Sequence, residues 1–110
     1  MWFKKSKFYY ETELYIKYRD DAGHYSGANA IKDFYAYFKK KKTIDDIIED
    51  ELMEYYEELW DMATPYAYEG AIVTIRQFFR FHFRAGHECI NPNQILLRGV
   101  MHLKGERQKV

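Results

Sequence analysis

The sequence predicts an all-α fold, a bundle of four to five helices, on three observations. Apolar residues recur at three- and four-residue steps in successive stretches, the period of a helix with one buried face. Helix starts and stops punctuate those stretches, with Ser26 and Thr64-Pro65 as starts and Gly23 and Gly86 as stops. At 110 residues the chain fits one domain, and aromatics at 19% imply a core of Phe and Tyr.

Taken in order, residues 1–7 (M-W-F-K-K-S-K) are aromatic and basic and read as a partly ordered N-terminal arm. The first helix runs from Phe8 to Arg19, with Tyr10, Leu14 and Tyr18 at helical spacing, and Asp20-Asp21-Ala22-Gly23 ends it. Ser26 caps a second helix that runs to about Lys40 and buries Ile31, Phe34, Tyr35 and Phe38. Lys39 to Lys42 stand at its C-terminal end, where cations complement the helix dipole and equally suit a phosphate. Thr43 to Ile48 is a connector with room for one helical turn. The third helix spans Asp50 to Asp61 and buries Leu52, Met53, Tyr56 and Leu59/Trp60.

The longest stretch, Thr64 to Pro92, organises the chain. Thr64 caps it, and Pro65 fits a first turn whose N–H groups need no partner. Ala71, Ile72, Ile75, Phe79 and His82/Phe83 mark its buried face, while Arg76, Gln77, Arg80 and Arg84 fall on another. Gly86 supplies the stop. Asn91-Pro92 then opens a short fifth helix to Leu97, with Ile95 and Leu96 packing back on the bundle. These elements place one helical domain over residues 8–97 and a tail or linker stump over 98–110.

Formal net charge is zero, but its distribution is uneven. Nine acidic and no basic residues lie between Asp45 and Asp61; the rest carries all seventeen basic residues against eight acidic ones. Such a segregated field permits DNA binding on one side without requiring it. The acidic face reads as solvated surface or as a docking face for a basic partner. A single cysteine, Cys89, excludes an internal disulfide and fits a reducing compartment. With no signal-peptide pattern and no membrane-length apolar run, the protein is expected to be soluble and cytoplasmic.

Little in the chain suggests chemistry. His82, His87, Glu88 and Cys89 are the one cluster resembling a metal site, but the two histidines are five apart, which does not align two ligands on a helix. His82 is expected at the edge of the core and Cys89 as a small packed hydrophobe. There is no glycine-flanked serine elbow and no Gly-rich phosphate loop, and the carboxylates form a continuous face rather than a matched pair. Neither catalysis nor a cofactor or metal is expected.

The fourth helix, reading I-R-x-F-F-R-F and followed after a short loop by N-P, resembles the last long helix of the core-binding domain of tyrosine recombinases, the SAM-like N-terminal domain of phage integrases. Upstream, Y-S-G-A-N-A-I-K-D-F-Y-A-Y-F resembles that family's second helix, and T-I-D-D-I-I-E-D-E-L its connection into the third. The likeness covers residues 8 to 97, in patterns of apolar residues with a few polar positions. It implies the non-catalytic half of a recombinase, a jaw that clamps duplex DNA with its second and fourth helices while another domain cuts. Carried over by position, the second helix would offer Ser26, Asn29, Lys32 and Lys39, and the fourth Tyr66, Tyr68, Thr74, Arg76, Gln77, Arg80 and Arg84. Guanidinium groups donate bidentately to phosphates or guanine edges, and hydroxyls and amides fix register. The chain departs from the family at Ala67, where a threonine is common, and at Glu69, Gly70 and Ala71, where basic residues are frequent; both changes remove phosphate contacts. The resemblance implies a setting at the nucleoid of a bacterial or phage-infected cell. It also leaves open a protein–protein module that docks on a recombinase or regulator through the acidic third helix or exposed aromatics.

Overall fold

The computed structural model describes residues 5–23 and 27–91. Among the described residues the protein is all-α: α1 is Lys7–Asp21, α2 Ala28–Phe38, α3 Glu49–Met62 and α4 Pro65–Arg84, with a 3-10 turn at Ile44–Asp46 inside the connector. Ser26, the fifth helix with Ile95 and Leu96, and the tail lie outside the described residues. No helix of the described residues is long and apolar enough to cross a membrane.

The helix ends have local chemical causes. Ser6 Oγ accepts from the Tyr9 N–H and starts α1 inside the segment read as an arm. The N-cap of α2 is Gly27 rather than Ser26, in the left-handed region at φ 89°. A side chain there would also collide with Thr74, whose Oγ1 would lie 2.8 Å from the added carbon. Thr64 Oγ1 accepts from the Ala67 N–H at the start of α4. At its end Gly86, at φ 101°, lets its own N–H reach the Phe83 carbonyl and the His87 N–H reach that of His82. This Schellman closure turns the chain back across the bundle at His87.

Phe34 of α2 is the centre of the core. Its ring meets Phe8 of α1, Phe38, Tyr55 of α3, and Phe78 and Phe79 of α4 at centroid distances of 4.9–6.4 Å, mostly edge-on. One ring thus ties all four helices. Contacts of Glu11 with His82, Tyr15 with Phe78 and Arg19 with Gln77 show α1 running antiparallel to α4.

The rotation of α1 about its axis differs from the one its apolar spacing suggests. Tyr10, Leu14 and Tyr18 are exposed, at 58%, 56% and 55%, and α1 instead buries Phe8, Glu11, Thr12 and Tyr15. The buried polar groups have partners, which is what makes that rotation stable. Thr12 Oγ1 donates to the Phe8 carbonyl, and the Glu11 carboxylate accepts from Thr43 Oγ1 and from the Ile44 N–H.

Candidate nucleic-acid interface

The outward side of α4 borders an open groove against the end of α1 and the start of α2. Its lower half is a cleft of about 470 Å³ walled by Tyr15, Tyr18, Arg19, Gln77, Arg80, Phe81, Arg84 and Ala85. The upper half, about 640 Å³, lies between Gly27, Asn29 and Ala30 on one side and the α4 run from Tyr66 to Gln77 on the other. Arg19 and Gln77 border both halves and are joined across the groove, the Arg19 Nη1–H donating to Gln77 Oε1 at 2.8 Å. The same nitrogen donates to the Tyr15 hydroxyl at 3.1 Å, so the guanidinium is held in place. Burial pushes the Tyr15 hydroxyl pKa up, although the neighbouring guanidinium pulls it down.

The residues singled out from the sequence divide. Asn29, Tyr66, Thr74, Gln77, Arg80 and Arg84 line this groove. Arg76 is half-buried on α4 and does not line it. Lys32 is exposed on α2 away from the lining, and Lys39 borders a separate cleft with Lys40, Lys41, Glu51 and Glu54. There the Lys41 ammonium sits 2.6 Å from the Glu51 carboxylate, which holds the Glu51 pKa below its ordinary value.

Two of these residues are buried on α4. Tyr68 is turned into the core, fully buried, with its ring against Trp60. It stands four residues before Ile72 and continues the buried stripe. Thr74 is buried beside Gly27, and its hydroxyl donates to the Gly70 carbonyl. Ser26 lies outside the described residues. Arg19 and Tyr18 were missed, because the pairing that brings them to the groove joins residues 58 apart in sequence.

A second polar cluster sits toward the other end of α1. Glu11 Oε2 accepts from Thr43 Oγ1 at 2.6 Å and Oε1 from the Ile44 N–H at 2.7 Å. His87 Nδ1 lies 3.1 Å from an Asp45 carboxylate oxygen and 3.4 Å from Glu11 Oε2. His82, expected at the edge of the core, is buried within it, 1% exposed. Its Nε2 is 3.0 Å from the Glu11 carbonyl, and because a carbonyl only accepts, Nε2 carries the proton. Burial holds the His82 pKa below its ordinary value, so the ring is kept neutral. Cys89 packs beneath, its thiol directed at the Phe79 carbonyl and its pKa pushed up to about 11 by burial, which leaves it a poor nucleophile. Among the described residues no group of three or more His, Cys, Asp or Glu is placed to hold a metal ion.

The fold and its groove thus define a small helical bundle with one open, arginine-bordered, aromatic-walled surface. No protein-family model, no curated protein and no solved structure matches the chain. The resemblance to recombinase core-binding domains therefore rests on the residues quoted above.

Proposed function

We propose that this protein binds duplex DNA without cutting it, holding phosphates along the α4 groove. The observation that carries the reading is the convergence of three guanidinium groups, Arg19 from α1 and Arg80 and Arg84 from α4, on one cleft. None of the nine acidic residues between Asp45 and Asp61 lines either half of the groove. Glu69 borders the upper half, which directs phosphates to the lower half and leaves Asn29 and Tyr66 to contact by hydrogen bonds.

The test is a fluorescence-anisotropy titration of labelled duplex DNA at low and near-physiological salt. Binding should weaken steeply as salt rises, and the Arg80→Ala/Arg84→Ala protein should bind at least about tenfold more weakly. Absence of binding at low salt, or equal affinity in the double variant, contradicts the reading.

A second reading is favoured by the exposed row of Tyr10, Leu14 and Tyr18 on α1. It is a protein–protein module that docks on a recombinase or regulator, for which exposed tyrosines are suited. A partner of that kind would be lost on Leu14→Asp and kept in the double arginine variant.

A further inference from the structure

We propose that the lower half of the groove receives an unpaired nucleotide, its base against Tyr18 and Phe81 and its phosphate against Arg19, Arg80 and Arg84. The inference rests on the DNA-binding reading and narrows it to a class of DNA. A surface that only tracked phosphates would need cations and hydrogen-bond donors, but not rings. This cleft has both.

Tyr18 and Phe81, from different helices, sit with ring centroids 4.9 Å apart and planes tilted by 38°, and Tyr18 remains 55% exposed. Tyr15, almost fully buried, backs them at 6.3 Å from Tyr18 and 5.4 Å from Phe81. The three rings form one aromatic wall whose outer member faces water. Bases inside a duplex have both faces covered by their neighbours, so such a wall accepts a base only when it is unpaired, at an end, a gap or an extruded position. The cleft, at about 470 Å³, falls in the range of roughly 300–1,000 Å³ usual for small-ligand sites.

The cations are on the same wall. Arg19 is fixed by its bonds to the Tyr15 hydroxyl and to Gln77, so its charge is positioned before any ligand arrives. Arg80 and Arg84 follow one turn apart on α4, with Phe81 next to Arg80 in sequence. Asp20 and Asp21, the nearest acidic residues along α1, do not line the cleft. The upper half has no paired rings and carries Glu69, so it suits the adjoining duplex rather than a second unpaired base.

The test compares two labelled duplexes with equal numbers of phosphates, one blunt and one with a three-nucleotide single-stranded overhang, by anisotropy at fixed salt. The wild-type protein should bind the overhang duplex about tenfold more tightly, the scale expected for stacking one base on an aromatic ring. Tyr18→Ala should abolish that preference, and Tyr18→Phe should keep it. Equal affinity of the wild type for the two DNAs, or a preference that survives Tyr18→Ala, overturns the inference and leaves the duplex reading standing. Binding to the overhang alone overturns the duplex reading and supports the inference. Binding to neither overturns both.

Discussion

Two polar regions of this molecule, both built on α1, behave in opposite ways. Around Glu11 the polar groups are closed on one another: a buried carboxylate takes donors from Thr43 and Ile44, and His82 and His87 reach it or its backbone. Around Arg19 the guanidinium groups of Arg19, Arg80 and Arg84 border an open groove. The first region holds the bundle and the second offers a surface. They are mechanically linked, because Arg19 lies about two turns beyond Glu11 on the same helix. Tying Glu11 to the 3-10 turn fixes the rotation of α1 that carries Arg19 to Gln77.

Breaking the closed region should have the largest effect. Glu11→Ala leaves the buried Ile44 N–H without its acceptor and should cost about 3 kcal/mol in chemical denaturation. A loss below about 0.5 kcal/mol would mean that Glu11 does not hold the bundle. Breaking the open region should do the reverse. Arg80→Ala/Arg84→Ala should change stability by no more than about 1 kcal/mol, from lost packing of the Arg stems, while DNA affinity falls. A double variant that unfolds would place those arginines in the framework instead.

The smallest effect sharpens the contrast through pH. Burial depresses the His82 pKa in the folded protein relative to the ordinary 6.5, so the unfolded chain binds the proton more readily. The stability this residue contributes is therefore complete above about pH 6.5 and is lost as pH falls toward the folded value. The melting temperature should be lower at pH 5.5 than at pH 7.5. His82→Gln should flatten that slope. An unchanged slope in the variant would remove His82 from the account.

Much of the fold was legible because its signals are local. Thr64, Pro65 and Gly86 bound α4 by cap chemistry contained within a few residues, and Ile72, Ile75, Phe79 and His82 repeat at helical steps. Tyr68 was also legible in principle, since it extends that stripe by one turn toward the N-terminus. The buried face of α1 was not. Tyr10, Leu14 and Tyr18 form as good an apolar row as the one that is buried, and the choice is made by donors on Thr43 and Ile44, more than thirty residues away. The groove was half legible. Arg80, Arg84 and Gln77 declare themselves on one helix face, whereas Arg19 joins them only through tertiary packing.

The most direct test of the central claim is a two-dimensional NMR titration with duplex DNA, following backbone amides and arginine Nε–H signals. The account predicts that Arg19, Gln77, Arg80 and Arg84 shift together and lose those shifts as salt is raised, while Glu11, Ile44 and His87 stay in place. Shifts confined to Tyr10, Leu14 and α3, or none at all at low salt, would contradict it.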